Sequence, residues 1–317
     1  MAIRRRTTLR DYPISQSPFY RLRSRKKLAS LYNKNLREIE SLIARDDNYR
    51  IFMLKSTNRR IEWPKPALEQ LHYRTLSLLQ KIKAPEYLHS GIPNRSYITN
   101  ASCHKGRFST VKLDISKFYP STNGIHIFSG LRKQFACSED VAGLITKMCT
   151  YDGHLPTGSC VSQILGFYAH KQMFDEIWSY CKGKNFVMTC YVDDITITGD
   201  KVGLSTIRAV GRIIEQRGLN FHKEHYFPAG KPKIITGVVV DGSEIRVPNQ
   251  RQLIIHDSLI EMRANIPSQQ FYKKMDRLIG RLNSAAEVEQ RYRALTTEAH
   301  ALLIKSKDQS GTDQVRG

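Results

Sequence analysis

The chain has 317 residues, with 50 Lys+Arg against 29 Asp+Glu and a formal net charge of +21. That length can bury a substantial core, and the positive excess favours a polyanionic partner, because neutralising phosphates releases counterions. The six cysteines (Cys103, Cys137, Cys149, Cys160, Cys181, Cys190) form no C-x-x-C pair, no run approaches the ~18 apolar residues of a membrane span, and Met1-Ala2-Ile3-Arg4-Arg5-Arg6 has no apolar stretch behind it. Zinc-site spacing, a membrane span and a secretory signal are therefore set aside, and the cytoplasm with reduced thiols is expected.

Residues 1–24 are basic and polar, with Pro13 and Pro18, and read as an arm that orders only on binding or not at all. A helix is predicted from Arg25 to Arg45, with Leu28, Leu31, Leu36, Ile39, Leu42 and Ile43 on one face. Tyr49 to Leu54 reads as a strand, Ser56 to Arg59 as a turn, and Ile61-Glu62-Trp63 as a return strand stopped by Pro64. Leu68, Leu71, Leu76, Leu79 and Ile82 mark a second helix. Ser109 to Asp114 is predicted as a strand with Val111 and Leu113 inward and an acid at its end. Two further strands, Asn185 to Cys190 and Ile195 to Thr198, flank Tyr191-Val192-Asp193-Asp194 as a hairpin. Beyond Gly242 the chain reads as helical, with Leu253, Leu259, Met262, Met275, Leu278, Ile279 and Leu282 as its apolar faces. The tail from Lys307 is polar and predicted to be disordered. There is no internal repeat or low-complexity tract.

Paired carboxylates on a tight turn suit Mg²⁺, a hard cation that prefers oxygen, although Asp-Asp on a turn is more often simply solvated. A third acid on another strand tips the balance, and Asp114 supplies it. An acid at a strand end, an aromatic five residues later (Tyr119), then a hairpin acid pair resembles the signature of reverse-transcriptase-type polymerases. Joining a 3′-hydroxyl to a triphosphate uses two divalent ions ~3.5–4 Å apart. The resemblance implies that Asp114 and Asp193 bridge both ions, that Asp194 supports them, and that Ile115 also lies at the metal contacts. It implies that Tyr119 lies under the sugar and excludes a 2′-hydroxyl.

Further stretches resemble bacterial reverse transcriptases of the retron type, over about residues 28–300. Arg59-Arg60-Ile61-Glu62-Trp63-Pro64 followed by Leu68 and Leu71 is similar to the R-x-I-x-x-P-x-x-x-L start of the fingers, where a basic residue meets the triphosphate. From the residues alone an exposed basic hairpin tip is as good a reading, and Arg95 is a second candidate. Asn100-Ala101-Ser102-Cys103-His104 resembles the N-A-x-x-H element of retron enzymes, with Asn100 and His104 expected in architecture and RNA contact. Leu155-Pro156-Thr157-Gly158-Ser159 takes the place of the L-P-Q-G segment beside template and nucleotide. Thr157 replaces the usual glutamine, Cys160 to Gln163 lack the usual prolines, and Gly158 keeps the close backbone approach. Ile235-Thr236-Gly237 resembles V-T-G, and Asn220 to Lys223 resembles N-x-x-K, with Lys223, His222 or His225 as candidate general acid. Leu278 to Asn283 looks like the thumb helix, with Arg277 and Arg281 placed to grip RNA.

The expected fold is α+β, a right-hand polymerase: arm 1–24, N-terminal helix and fingers 25–110, palm 111–240 with an antiparallel sheet, helical thumb 241–306 and tail 307–317. The resemblance implies RNA-directed DNA synthesis with two Mg²⁺ ions and deoxynucleotide triphosphates. It also implies a cognate non-coding RNA as template and primer, a branched RNA–DNA product, and antiphage defence with a separate effector protein. No ribonuclease H, endonuclease or maturase segment fits. The alternatives are a defence reverse transcriptase outside the retrons and a catalytically quiet RNA-binding scaffold on the same fold.

Overall fold

The structure, a computed structural model, describes residues 11–264 and 269–313. Residues 1–10 of the predicted arm and 314–317 of the predicted tail lie outside the described residues, as do 265–268. The chain divides into two compact units, 1–96 with 110–226 and 97–109 with 227–317. It is an α+β protein whose hairpins are antiparallel.

In the first unit, residues 11–24 pack on the core, unlike the predicted arm. Phe19 is 1% exposed, its ring edge-on to Phe135 at 6.2 Å, and Arg21 N donates to Phe135 O. Phe19 and Tyr12 supply apolar burial that a purely basic segment lacks. The helix predicted over 25–45 is two helices, α1 (Arg25–Leu31) and α2 (Leu36–Ile43). Asn33 takes a left-handed φ of 53°, which stops the first. Asn35 starts the second through a capping box with Glu38.

Strands β1 (Tyr49–Leu54) and β2 (Arg59–Pro64) form a hairpin in which Arg50 faces Trp63 and Met53 faces Arg60. Helix α3 (Pro66–Leu79) begins with proline in its first turn, where no amide bond is lost, and buries Leu68, Leu71, Leu78 and Leu79. Helix α4 (Tyr97–Ser102) belongs to the second unit. Strand β3 (Ser109–Ile115) leads into α5 (Phe118–Ser121), α6 (Gly124–Phe135), α7 (Glu139–Cys149), α8 (Ser162–Ala169) and α9 (Lys171–Lys182). Strands β4 (Val187–Tyr191) and β5 (Asp194–Gly199), α10 (Leu204–Glu215) and β6 (Phe221–Phe227) follow.

The central sheet has the order β4-β5-β3-β6. Val111, Leu113 and Ile115 alternate along β3 into one core with Ile164, Leu165, Phe174 and Ile177, as the period-two pattern predicts. Gly130 lets α6 approach α8: a Cβ there would lie 2.7 Å from Ala169 Cα. This core backs β3, which carries Asp114.

In the second unit, β7 (Lys233–Ile235), β8 (Val238–Asp241) and β9 (Glu244–Arg246) form an antiparallel meander. Ala101 of α4 shares a small core with Ile235, Val238 and Val240. Helices α11 (Asn249–Ala264), α12 (Gln269–Val288) and α13 (Tyr292–Asp313) close around Ile255, Leu259, Met262, Met275, Leu278 and Leu282. Leu253, predicted in that core, is exposed. Helix α13 carries helical backbone past Lys307. Among the described residues no helix is long and apolar enough to cross a membrane.

Candidate active site

Asp193 sits in the two-residue loop of the β4–β5 hairpin, whose closing pair is Tyr191 and Asp194. Val192, the first loop residue, has φ 62°, a left-handed conformation that costs a β-branched residue energy. The turn is held from outside: Val192 N donates to Ser90 Oγ at 2.8 Å, and Ile115 N donates to Asp193 O at 3.0 Å. The second bond seats the hairpin tip against the end of β3, where Asp114 stands. The Asp193 carboxyl is pushed up to about 6, first by burial and then by the charges of Asp114 and Asp194, with Arg59 opposing. Three carboxylates therefore share one electrostatic environment.

Lys112 and His222 stand beside two of these acids. Lys112 Nζ lies 3.3 Å from Asp194 Oδ2. His222 Nδ1 lies 2.8 Å from Ser116 Oγ, 3.2 Å from Asp114 O and 3.4 Å from Asp114 Oδ1. Among the described residues no three histidine, cysteine or acidic side chains form a group that could hold a metal ion as they stand. The donor chemistry nevertheless fits Mg²⁺, which is usually held by one or two carboxylates together with substrate phosphates, not by an all-protein cage. The Ile115 side chain is fully buried and its N–H is used, so this residue can offer an ion only its carbonyl oxygen.

Tyr119 and Arg59 both lie within electrostatic reach of Asp193. The Tyr119 hydroxyl is pushed well above its ordinary range by burial and by the Asp193 charge, with Arg59 pulling the other way. Phe118 is buried while Tyr119 is half-buried, so the core role falls to Phe118. Alternation along β2 separates the tandem arginines. Arg60 turns to Glu62 and over the Tyr151 ring, while Arg59 stays within electrostatic reach of Asp193 and Tyr119.

The segment Leu155 to Ser159 is tethered residue by residue. Leu155 N donates to Thr122 O, Ser162 Oγ to Pro156 O at 2.7 Å, and Thr157 N to Glu62 Oε2 at 3.2 Å. Ser162 thus ties down a turn from which the expected prolines are missing. Gly158 has φ +129°, and a Cβ there would lie 2.9 Å from Ile61 Cγ2 and 3.2 Å from Glu62 O. His72 closes the far end. Its Nε2 faces Met148 O at 2.8 Å and its Nδ1 faces Ser159 Oγ at 2.7 Å. A carbonyl can only accept, so Nε2 carries the proton and Nδ1 accepts from the serine.

Other expected site residues lie elsewhere. Arg95 Nη1 donates to the carbonyls of Pro85, Glu86 and Leu88, which makes it a clamp on that loop. Asn100 and His104 are fully buried, out of reach of a nucleic acid. Their place is architectural: Asn100 Nδ2 donates to Thr236 Oγ1, joining the two retron-like elements within the second unit. The Lys223 side chain lies outside the described residues. Arg277 and Arg281 are exposed one turn apart on α12, Arg281 donating to Ser258 Oγ at 3.4 Å. Sequence reasoning missed Lys112, Glu62, His72 and His154. Lys112 and Asp114 are two apart on one strand, as are Arg60 and Glu62, so period-two alternation carried a signal for two of them.

No family model matches the chain. The curated retron Se72 reverse transcriptase of Salmonella heidelberg (strain 579083-10) is 29% identical over 144 residues, 45% of this chain and 38% of that protein. The retron Mx65 reverse transcriptase of Myxococcus xanthus is 28% identical over 58% of this chain and 48% of that protein. The retron Ec48 reverse transcriptase of Escherichia coli is 21% identical over 92% of this chain and 78% of that protein. The chain thus spans less than half the length of the first two relatives. Among solved structures, telomerase from Candida albicans with a fragment of telomeric RNA aligns with a TM-score of 0.47 and 11% identity, over 79% of this chain and 54% of that one. The resemblance carried by short motifs is thus borne out by similarity over long segments: this chain is a sequence relative of the retron reverse transcriptases.

Proposed function

We propose that the chain is an RNA-directed DNA polymerase of the retron type, a right-hand polymerase with deoxynucleotide triphosphates as substrates. The observation that carries this reading is the cluster of Asp114, Asp193 and Asp194 at the junction of β3 and the β4–β5 hairpin. A divalent ion bound there supplies charge neutralisation for the attacking and leaving oxygens. Asp114 and Asp193 are the residues that would hold it, with Asp194 and the Ile115 carbonyl beside them. Arg59 offers a guanidinium to the triphosphate, and Tyr119 closes the sugar side. Gly158 permits the backbone of the 155–159 turn to lie flush against β2 beside this site.

The template in this reading is a cognate non-coding RNA that also primes synthesis, giving a branched RNA–DNA product in antiphage defence with a separate effector protein. What supports it is the set of retron relatives and the net charge of +21. The test is primer extension by the purified chain on an RNA template with Mg²⁺, together with analysis of the copurifying nucleic acid. A branched RNA–DNA species is the expected result. A wild-type chain that incorporates no deoxynucleotide on any RNA would overturn the reading.

A further inference from the structure

Glu62 is a buried carboxylate to which the polymerase reading gives no part. Its side chain is only 4% exposed, yet it lies three residues from Arg59 on β2. The hairpin that carries Arg59 is held at its inner end, where Tyr49 Oη donates to Thr150 O at 3.4 Å and the Tyr49 ring meets Tyr151 at 4.8 Å. Five of the six β1 residues are exposed, and a two-stranded ribbon is marginal by itself. On β2 the buried residues are Glu62 and Pro64.

Glu62 meets the 154–158 turn with both its backbone and its side chain. Glu62 N donates to Thr157 O at 2.6 Å, and Glu62 Oε2 accepts from Thr157 N at 3.2 Å. His154 Nε2 lies 3.1 and 3.3 Å from the two carboxylate oxygens, and its Nδ1 lies 3.1 Å from Asp152 O. Both ring nitrogens face acceptors, so both bonds form only when both nitrogens carry protons. Arg60 Nε completes the shell at 3.5 Å. The turn is tied onward to α5, since Leu155 N donates to Thr122 O and Thr122 N reaches Phe118 O and Tyr119 O. A chain of contacts therefore runs from Tyr119 through the turn to Glu62, three residues from Arg59 on β2, and the Arg59 charge is felt at Tyr119 and Asp193.

We propose that the buried Glu62–His154 pair is the positioning device that fixes Arg59 over the nucleotide site, acting on the reaction only through Arg59. The proposal rests on the polymerase reading above. Glu62 touches no reacting atom; it sets where the β1–β2 hairpin stands.

The test is single-deoxynucleotide incorporation by the full-length chain on one primed RNA template. Wild type is compared with Arg59→Ala, Glu62→Gln, His154→Gln and each pairing of the last two with Arg59→Ala. Glu62→Gln keeps the acceptor for Thr157 N–H and removes the charge that His154 and Arg60 answer. The expected result is a KM for the deoxynucleotide raised about tenfold by Glu62→Gln and by His154→Gln, with kcat within about twofold. Affinity for the primed template stays unchanged. Each double variant should be no worse than Arg59→Ala alone, which a merely structural role would not produce. Effects that multiply in the double variants, or a loss confined to kcat, would overturn the proposal. Should Glu62→Gln fail to fold, the His154→Gln pair decides the matter, because that side chain sits at the edge of the shell with 16% exposure. A wild-type chain without incorporation fails the polymerase reading itself and takes this proposal with it.

Discussion

Asn100 and Thr236 are joined by a side-chain hydrogen bond of 3.4 Å across 136 residues of chain, and Thr236 Oγ1 in turn donates to Tyr97 O at 2.8 Å. Two short elements that look like separate motifs are one buried latch. Its cost is visible: Asn100 Oδ1 is buried without a partner. Thr236→Ala removes both hydroxyl bonds and leaves the Asn100 amide less satisfied, at an expected loss of ~1–3 kcal/mol. Urea unfolding of the intact chain measures it. A midpoint unchanged in Thr236→Ala would show that the latch is not a stability element.

Asp193→Asn should abolish DNA synthesis, by roughly a thousandfold or more if the cluster holds the ions of catalysis. The same substitution removes one of three crowded carboxylates, so the metal-free protein should melt at a higher temperature than wild type. Mg²⁺ should raise the wild-type midpoint and leave that of Asp193→Asn nearly unmoved. Full extension activity in the variant would reject the two-ion assignment, and an equal Mg²⁺ response would reject the site.

The charge of +21 implies many phosphate contacts, and RNA affinity should fall with salt by a log–log slope of about −0.7 per neutralised phosphate. Arg277→Glu with Arg281→Glu should weaken binding and flatten that slope, since both side chains are exposed on one face of α12. Filter binding between low and moderate salt checks it. Affinity indifferent to salt would exclude a phosphate grip.

Buried histidines predict acid sensitivity. Burial pushes His72 down to about 4 and, with help from His126, pushes His170 down to about 3. An unfolded imidazole titrates near ~6.5, so below that pH the unfolded chain binds protons that the folded chain refuses. The contribution is complete above ~6.5 and is lost as pH falls through that value toward 4, at roughly 1.4 kcal/mol per pH unit for each histidine. Asp193 works in the opposite sense over part of the same window, so the comparison is internal. Between pH 7.5 and 5.5 the urea midpoint of His72→Asn should fall less than that of wild type. Equal falls would mean that His72 is not held neutral.

The parts of this site set by local periodicity were legible before any fold was known. Val111, Leu113 and Ile115 alternate into the core, and Tyr191 to Asp194 close a hairpin, because both patterns follow from the pleat of a strand. The break at Asn33 was hidden because Leu28 to Ile43 keep an apolar face across it; only the conformation of one asparagine interrupts the helix. Burial of Asn100, His104 and Glu62 could not be read at all. A polar side chain is buried only where distant partners satisfy it, and those partners, Thr236 and Thr157 among them, are fixed by tertiary packing. The loop bonds of Arg95 were hidden for the same reason: an arginine in a loop serves phosphates or carbonyls equally well, and here its Nη1 meets the carbonyls of Pro85, Glu86 and Leu88.

Sugar selection turns on which of two adjacent aromatics faces the nucleotide. Phe118 is 3% exposed and edge-on to Phe174 at 6.5 Å, deep among α8 and α9. Tyr119, half-buried, shares its surroundings with Asp193 and Arg59, the proposed metal and phosphate contacts. A nucleotide spanning those two groups would place its sugar against the Tyr119 ring, where an added 2′-hydroxyl would collide with the ring edge. The discrimination must be steric, because losing one favourable contact would select only weakly. Tyr119→Val should therefore admit ribonucleotides, while Phe118→Ala should chiefly destabilise the fold, by ~3–5 kcal/mol for an aromatic removed from a core. The measurement is the ratio of kcat/KM for a deoxynucleotide and its ribonucleotide partner on one RNA template. A fall of about a hundredfold in that ratio corresponds to ~2.7 kcal/mol of lost discrimination. If Tyr119→Val stays active with the ratio unmoved, the ring does not gate the sugar and Tyr119 is only packing against Phe118.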